Sequence, residues 1–461
     1  MRNVVLSSIV VWSLGLGCSP GGASRDPDAF NVLIVVLDAL RPDKLGCYGF
    51  ERPTSPRLDA LAAEDDAVVF LKHHVQGAFT KSSTASLFTG LFPFQHGVVE
   101  GHTPKKDQEW RDVSTQVVDA SHRTMAERLA EVGFWNFGVV KSRHLVREYG
   151  FAQGFDAYVG PEEIKDDEER ADEVLRSIDA AGGRFFGYVH FSATHHPYPE
   201  KKRDAEYVER FGFPYDEAAR QAAGADFTTP AIKHAILEGR QTLDPDDVRF
   251  LNLVYESSLV RCDRDLLGRV VDGLKERGLY DSTMILVTSD HGEELYDHRG
   301  YAHAYHVWQE IIHVPLVVKF PKGRRPPELP DRVSDLSSAI DVLPGLLELL
   351  GVEADDLPGV PIFSGETSRF VFSEARRRYG LIRDGWKLVH DVDVFRLYDL
   401  REDPGEAEDV AAREPEQLAQ MEAYAKVLLE SARGKRTVAP VIETVLEPEA
   451  LQELRQLGYI K

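Results

Sequence analysis

Short runs of apolar residues that alternate with helix-like segments constrain the fold of this chain more than any other feature. Five runs are apolar at nearly every position, at 32–37, 135–140, 185–191, 284–288 and 315–320. Strands of this kind are typical of a parallel sheet that is covered on both faces. Segments with helical spacing of apolar residues lie between the runs, at 56–64, 123–132, 168–181, 246–277 and 335–350. This order predicts an α/β fold with a mostly parallel sheet flanked by helices.

Composition and charge argue against two classes of protein. The chain has 461 residues, of which 43% are hydrophobic and 10% aromatic, so it can bury a large core and intrinsic disorder is excluded. Its 76 acidic and 54 basic residues leave a formal net charge of −22. A surface this acidic repels a phosphate backbone at long range, and we therefore expect no nucleic-acid partner.

The first eighteen residues predict export. Residues 1–16 carry one arginine and then an apolar stretch, which suits a signal peptide and is shorter than the roughly 20 residues that cross a bilayer. Cys18 follows in LGLGCSP, which resembles the lipobox of bacterial lipoproteins, although Gly15 stands where Leu is usual. A lipid anchor at Cys18 in the cell envelope, simple secretion to the periplasm or beyond, and a buried N-terminal strand remain the alternatives.

The rest of the chain predicts two folded units. Residues 199–245 are polar, rich in alanine and without clear strand patterns, which indicates an insertion at the rim of a site. After Gly351 the pattern changes to short strand-like pieces and a polar helix, at 369–373, 380–382, 386–389, 395–398 and 415–433. The two predicted folded units are an α/β domain at 31–351 and a smaller C-terminal α+β subdomain at 352–461. A signal at 1–18 and a linker at 19–30 are predicted to precede them.

Acidic residues directly follow two of the apolar runs. Asp38 comes after the first run, and Asp290 and His291 come after the fourth, in TSDHGE. The carboxyl ends of parallel strands are where open α/β folds bind ligands. A carboxylate and an imidazole side by side can chelate a divalent cation. The pattern predicts a metal site from these three residues, and the alternative is a capping Asp beside a loop histidine.

The chain contains 16 histidines, and several cluster in loops at strand ends. His195 lies in HFSATHHPY after the third apolar run, and His303 lies in GYAHAYHVWQE before the fifth. Their positions close to the predicted metal pair favour a functional role for both. The sequence does not favour a functional role for His196, His298 or His306.

A hydroxyl residue begins a short helical stretch in GAFTKSSTASLFTG. Thr80 precedes this stretch and Gly90 ends it, so Thr80 can lie at the helix N-terminus. The exposed N–H groups and the positive end of the dipole favour an anion such as phosphate or sulfate there. A hydroxyl that coordinates a divalent cation becomes a competent nucleophile. The alternative is a plain helix cap, formed by Thr80, Ser82 or Ser83.

Together these segments resemble the sulfatase branch of the alkaline phosphatase superfamily. The family's first strand is similar to NVLIVVLDALRPDKLGCYGFERPTSPRLDALA, its nucleophile helix to FTKSSTASLFTGLFPFQHGV and its lysine-bearing segment to TMAERLAEVGFWNFGVVKSRHL. Its DPHxPY loop resembles HFSATHHPY, its second metal segment VTSDHGEELYDH and its late histidine region AHAYHVWQEIIHVPLVV. Its C-terminal sheet resembles IRDGWKLV and LYDLREDPGEAEDVA. The resemblance begins near Asn31 and implies an alkaline phosphatase/sulfatase-like fold.

The resemblance also implies a role for each matching position. The nucleophile position falls on Thr80, and the metal-ligand positions, which in this chain include the nucleophile, fall on Asp38, Thr80, Asp290 and His291. The positions that bind the substrate oxyanion or assist the leaving group fall on Lys141, His195 and His303. His144 is a weaker match, because its spacing from the lysine differs by one residue.

Three departures from the family pattern matter for chemistry. Family sulfatases carry Cys or Ser in C/S-x-P-S/A-R, which is oxidised to formylglycine, whereas here Thr80 stands first, Ser82 replaces the Pro and Thr84 the Arg. Threonine cannot become the formylglycine aldehyde, so the hydrated-aldehyde mechanism is closed to this chain. The acidic pair after the first strand is reduced to Asp38, and Ala193 replaces the Asp of DPHxPY. Fewer carboxylates favour one firmly bound divalent metal ion (Zn, Mn, Ca or Mg) over a two-metal site.

These observations predict an exported, metal-dependent hydrolase that cleaves phosphate monoesters or diesters in preference to sulfate esters. The superfamily's phosphodiesterases and phosphoethanolamine transferases use a threonine nucleophile, which implies in-line attack by Thr80 and a phospho-threonine that water resolves. Three alternatives remain: a sulfuric ester hydrolase with an unmodified threonine, a head-group phosphotransferase, and an inactive sulfatase-like binding protein. The expected partners are small-molecule, glycan or lipid esters, with membrane contact only through Cys18.

Overall fold

A computed structural model describes residues 30–104, 112–164, 166–192, 194–433 and 439–457. Cys18 and Ala193, which the sequence analysis singled out, lie outside these ranges, as does the predicted signal segment. In the ranges that are described, no helix is both long enough and apolar enough to cross a membrane.

The apolar runs form strands of one eight-stranded sheet. The strands of the described chain are β1 Asn31–Leu37, β2 Ala67–His74, β3 His102–Pro104, β4 Asp112–Gln116, β5 Trp135–Val139, β6 Ala157–Val159, β7 Phe185–Phe191, β8 Thr283–Thr288, β9 Glu294–Leu295, β10 Tyr301–Ala302, β11 His313–Lys319, β12 Arg332–Ser338, β13 Val371–Ala375, β14 Arg378–Arg383, β15 Trp386–Asp391, β16 Val394–Asp399 and β17 Val441–Val445. The main sheet has the order β12-β2-β11-β8-β1-β7-β5-β6. All its pairs are parallel except those of β11 with β2 and β8. The predicted α/β fold with a large, mostly parallel sheet is confirmed.

Helices cover both faces of this sheet. They are α1 Pro56–Ala62, α2 Thr80–Thr89, α3 Pro93–His96, α4 Met125–Glu131, α5 Asp167–Ala181, α6 Ala205–Phe211, α7 Glu217–Ala222, α8 Ala231–Leu237, α9 Pro245–Arg261, α10 Gly268–Glu276, α11 Gln309–Ile312, α12 Val342–Leu349, α13 Pro415–Arg433 and α14 Pro448–Gln456. The predicted long helix at 246–277 is three consecutive pieces, because a π-helical segment, Cys262–Leu267, joins α9 to α10. The segment 199–245 contains α6 to α8 and no strand, as its composition predicted.

The alternation of side chains along β1 divides the core into two layers. Val32, Ile34 and Val36 pack under α2, α4 and α12. Leu33 and Val35 point to the opposite face, which α1, α5 and α10 cover. Every residue of β1 is buried, and each fully buried side chain of this size contributes about 1.5–3 kcal/mol of transfer free energy. The two layers explain why this strand is apolar at every position after Asn31.

Sequence analysis did not predict two neighbouring strands at one edge of the sheet, β12 and β2. Residues 335–350 were predicted to be helical, but Arg332–Ser338 is a strand because it pairs in parallel with β2. Only Val342–Leu349 of that segment is α-helical. The strand β2 itself was not predicted, although it lies between β12 and β11 in the sheet.

The C-terminal region forms a smaller antiparallel sheet. The strands β13 to β16 pair in sequential order, and α13 packs on them through Met421 and Ala425. This agrees with the predicted α+β arrangement of short strands and one polar helix. Near the end of the chain, β17 pairs with β4 in a three-stranded sheet, so the chain returns to the larger unit. The boundary placed at 351/352 stays a prediction.

Candidate active site

The carboxyl ends of neighbouring parallel strands gather polar side chains at one end of the main sheet. Asp38 follows β1, Asp290 follows β8 and His190 lies near the end of β7. In the sheet, β1 lies between β8 and β7. The strand β2 leads into α2, which begins with Thr80. Because β11 runs the other way, the loop before it, with His303, returns to the same end of the sheet. The strand directions therefore bring these residues to one place.

Local hydrogen bonds hold the loops that follow β1 and β8. The N–H of Asp38 donates to the carbonyl oxygen of Phe191 at 2.9 Å, which extends the pairing of β1 with β7. Ser289 Oγ accepts a hydrogen bond from the N–H of Leu40 at 2.9 Å and so ties the two loops together. Ala39 has a φ of 62°, a left-handed conformation that turns the chain directly after Asp38. The carboxylate of Asp38 is thereby kept at the end of its strand.

Two carboxylates and two imidazoles form a buried cluster at this end of the sheet. His291 Nε2 lies 3.4 Å from Asp38 Oδ1 and 3.6 Å from Asp290 Oδ2. His190 Nε2 lies 3.6 Å from Asp38 Oδ2 and 3.4 Å from Asp290 Oδ2. Within the described residues, Asp38 Oδ1 is buried and accepts no hydrogen bond. The set combines oxygen and nitrogen donors in the manner of a divalent-cation site.

The two carboxylates of this cluster have opposite pKa shifts. Burial, followed by the negative charges of Asp290 and Glu293, raises the pKa of Asp38 well above its usual value. Burial also acts to raise the pKa of Asp290, but His291, His190 and the Thr80 hydroxyl together outweigh burial and lower it. One carboxylate therefore ionises readily and opposes ionisation of the other. A cation bound between them would remove that opposition.

Thr80 is the first residue of α2, and its hydroxyl is directed at the same cluster. Thr80 Oγ1 lies 3.3 Å from His291 Nε2. The chain approaches the helix closely at Gly77, where a Cβ atom would lie only 2.6 Å from the backbone nitrogen of Ser83. The helix ends at Gly90, which has a φ of 68°. This confirms the predicted helix bounded by Thr80 and Gly90, with Thr80 at its N-terminus.

Three further histidines and a glutamate form a second buried cluster beside the first. The rings of His291 and His303 are 3.9 Å apart, and those of His195 and His303 are 4.8 Å apart. Glu293 accepts a hydrogen bond from His303 Nδ1 at 2.8 Å and lies 3.4 Å from His196 Nδ1. Burial lowers the pKa of His195 and of His303 well below the usual value. Burial opposes ionisation of Glu293, but His303 and His196 hold the pKa of Glu293 well below its usual value.

Two lysines lie near these clusters. Lys141 follows β5 at the same end of the sheet and is half-buried. Lys202, from the segment 199–245, is mostly buried and donates to the carbonyl oxygens of His195 at 2.7 Å and Ser192 at 3.3 Å. Burial lowers the pKa of Lys202 to about 8, and the charges of Asp38 and Lys141 also act on it. Lys202 therefore supports the loop that carries His195.

The structure brings Asp38, Thr80, Asp290, His291, His195 and His303 together, and their assigned roles stay predictions. Sequence reasoning missed three buried residues of the site, namely His190, His196 and Glu293, and the half-buried Lys202. His190 could have been found, since it is a polar residue near the carboxyl end of an otherwise apolar strand. His144 is buried and packs edge-on against Phe79, with ring centres 6.4 Å apart.

Comparisons with known proteins bear on this arrangement. A family model described as Sulfatase matches residues 30–352. Among the curated relatives, the uncharacterized sulfatase YidJ of Escherichia coli is 22% identical over 437 residues, 82% of each chain. Iduronate 2-sulfatase of Homo sapiens is 25% identical over 481 aligned positions, covering 87% of this chain and 80% of that protein. The phosphonate monoester hydrolase of Agrobacterium radiobacter has the same fold, with a TM-score of 0.65 and 22% identity over 90% of this chain and 97% of its own. Since the family model spans more than half of the sequence, the chain belongs to the sulfatase family.

Proposed function

We propose that the protein is a metal-dependent ester hydrolase that uses Thr80 as its nucleophile and favours phosphate monoesters or diesters over sulfate esters. The observation that carries the proposal is the position of Thr80 Oγ1, which lies 3.3 Å from His291 Nε2 at the N-terminus of α2. A hydroxyl there has an anion-binding helix terminus on one side and a buried acidic cluster on the other.

The residues around Thr80 fit a divalent cation. Asp38, Asp290 and His291 would hold it, with His190 as a further nitrogen donor, and the buried Asp38 Oδ1 has no hydrogen-bond donor among the described residues. When bound, such a cation supplies positive charge that favours the ionised form of a coordinated hydroxyl and offsets charge on the ester oxygens. The mixed oxygen and nitrogen set suits Zn, Mn, Ca or Mg.

The protein's own residues then perform a two-step displacement. Thr80 Oγ1 attacks phosphorus, the bond from phosphorus to the leaving oxygen breaks, and the threonine proton is transferred in net terms to the leaving alcohol. Water next attacks the phospho-threonine, restores the threonine hydroxyl and releases the phosphate product. The N–H groups of the first turn of α2 stabilise negative charge on the equatorial oxygens. Lys141 adds positive charge at the same end of the sheet, and His195 and His303 face the leaving group.

The preference for phosphate esters follows from the nucleophile. Sulfatases that use formylglycine need an aldehyde, and the methyl group on Cβ of threonine prevents oxidation of its side chain to one. Thr80 must therefore attack as an alcohol and later be released by water. The names of the similar proteins include both sulfatases and a phosphonate monoester hydrolase, so proteins of this fold are named for esters of sulfur and of phosphorus.

We also propose that a glycan or other small ester is the substrate and that the protein is exported. Similar proteins include an N-acetylglucosamine-6-O-sulfatase, which supports a glycan ester as one substrate class. The signal-like residues 1–18 and Cys18 support export with lipidation. Expression of Cys18→Ser in a bacterial host tests the anchor: we expect the variant to move from the membrane fraction to the soluble periplasm, and an unchanged distribution would contradict lipidation.

Matched substrates test the proposed reaction. The 4-nitrophenyl phosphate monoester, a phosphodiester and the sulfate are compared with each of Zn, Mn, Ca and Mg, for the wild type and for Thr80→Ala. Ser82→Ala is the control, because Ser82 is a buried hydroxyl two residues away on the same helix. We expect metal-dependent phosphoester cleavage that Thr80→Ala abolishes and Ser82→Ala retains.

Other results would select the alternatives. Sulfate cleavage in preference to phosphate would establish an unmodified-threonine sulfatase. Transfer of phosphate to an added alcohol faster than to water would establish a phosphotransferase. A protein that binds metal but turns over none of the esters would support an inactive binding protein and contradict the proposal.

A further inference from the structure

We propose that His195, His196 and His303 hold a second divalent cation, Zn²⁺ or an ion of similar softness, beside the carboxylate site. Each of these residues offers one ring nitrogen, and the three nitrogens lie within 4.8 Å of one another. All three side chains are buried, with exposed fractions of 0–1%. The inference rests on this cluster and does not depend on which ester is cleaved.

The hydrogen bonds of the cluster orient two of the rings as metal ligands are oriented. His303 Nδ1 is bound to the carboxylate of Glu293 at 2.8 Å, and His195 Nδ1 is bound to the carbonyl oxygen of His196. Histidines that bind metals commonly give their other nitrogen to a carboxylate or a backbone carbonyl. Both rings would therefore bind through Nε2, with Glu293 as the residue that positions His303.

His196 supplies the observation that points to a ligand. Its ring is fully buried, and its Nε2 atom has no hydrogen-bond partner among the described residues. A buried polar atom without a partner costs free energy, which a coordinated cation would recover. The ring lies 4.5 Å from that of His195 and nearly parallel to it, at 21°. His196 thus completes a three-imidazole set that the family's motif does not assign.

The two clusters differ in the cation they favour. Three imidazoles suit zinc, copper, iron or nickel, whereas carboxylate-rich sites suit magnesium, calcium or manganese. Three protein ligands also leave a fourth zinc position for water or a substrate oxygen. The two clusters are in direct contact, because the centre of the His303 ring lies 3.9 Å from that of the His291 ring. The structure therefore points to a centre with two cations, where the loss of carboxylates from the sequence had favoured one.

Zinc stoichiometry tests this inference without an activity readout. The full chain is stripped with a chelator, reconstituted with Zn²⁺, gel-filtered and analysed for bound metal. We expect two equivalents per chain in the wild type and one in His196→Leu. His306→Leu is the matched control, because His306 lies in the same region, binds Glu294 and is only half-buried. It should keep both equivalents.

A spectroscopic measurement and a second variant complete the design. Reconstitution with Co²⁺ should give the visible absorption of a tetrahedral nitrogen-ligated ion in the wild type, reduced by more than half in His196→Leu. If His196→Leu loses cooperative unfolding, His303→Gln replaces it with the same expectation.

A single equivalent of zinc in the wild type that His196→Leu retains would overturn the inference. So would two equivalents in the histidine variants, which would place the second ion on the acidic surface. Failure of every ester to turn over would contradict the proposed function and leave the zinc count unchanged, so the two proposals fail separately.

Discussion

The repulsion between Asp38 and Asp290 predicts that Asp38→Asn is more stable than the wild type when metal is removed, and that the wild type is the more stable protein when metal is bound. Their carboxylate oxygens lie within 4.8 Å of each other in a buried cluster. At an effective dielectric constant of about 20, two unit charges at this distance repel by about 3.5 kcal/mol. Proton uptake by Asp38 and the nearby His190 and His291 reduce the net cost. We therefore expect Asp38→Asn to raise the free energy of unfolding of the chelated protein by about 1–3 kcal/mol.

Metal should reverse this order. A cation present at about 100 times its dissociation constant stabilises the wild type by about 2.7 kcal/mol, and a variant that lacks a ligand gains less. The effect of pH has a definite sign. Because the pKa of Asp38 is raised in the folded state, the stability linked to its protonation is complete below the usual pKa and is lost as the pH rises through the raised value. The advantage of chelated Asp38→Asn should consequently grow with pH.

Urea unfolding followed by tryptophan fluorescence measures these differences. The wild type and Asp38→Asn are compared at pH 6 and pH 8, in EDTA and in saturating Mn²⁺. Asp335→Asn is the control, because Asp335 is exposed and its substitution should leave both conditions unchanged. The reasoning is refuted if Asp38→Asn is less stable than the wild type in EDTA, or if metal stabilises both proteins equally.

Three further predictions concern the surroundings of the site. Lys387→Met removes the cation 2.5 Å from the buried carboxylate of Glu406, and we expect a loss of about 3–5 kcal/mol in unfolding free energy that Glu406→Gln partly restores. A double-mutant cycle in urea checks this, and strictly additive losses would contradict a coupled pair. Gly292→Ala would place a Cβ atom 2.0 Å from the carbonyl oxygen of Glu310, so we expect the variant to bind less than half as much metal at the proposed site as the wild type, as read by metal analysis. Unchanged metal content would show that the loop adapts. Thr80→Ser keeps a hydroxyl at the start of α2 and should retain kcat within about tenfold, or about 1.4 kcal/mol of activation free energy, whereas Thr80→Val should not turn over the phosphoester; equal rates for the two would exclude the hydroxyl as nucleophile.

The sequence by itself determined five of the eight strands of the main sheet and the polar residues that follow two of them. The strands β1 and β8 are apolar at nearly every position, which is possible only where both faces are covered. The residues that follow them, Asp38 and Asp290, reach the same end of the sheet because the two strands are parallel. The boundaries of α2 at Thr80 and Gly90 could also be predicted from neighbouring residues, since the helix start and the left-handed residue that ends it lie within eleven residues.

Tertiary structure alone decided which strands pair and which polar residues join the site. The strand β2 ends in Lys-His-His, and only its pairing with β11 and β12 distinguishes its short apolar run from a helix. The antiparallel direction of β11 returns His303 to the site. Glu293 and His196 are 97 residues apart and meet only after the sheet has formed. The periodic pattern of apolar residues is a property of neighbouring positions in the sequence. Which strands pair, and which side chains meet in the site, depends on contacts between distant parts of the chain.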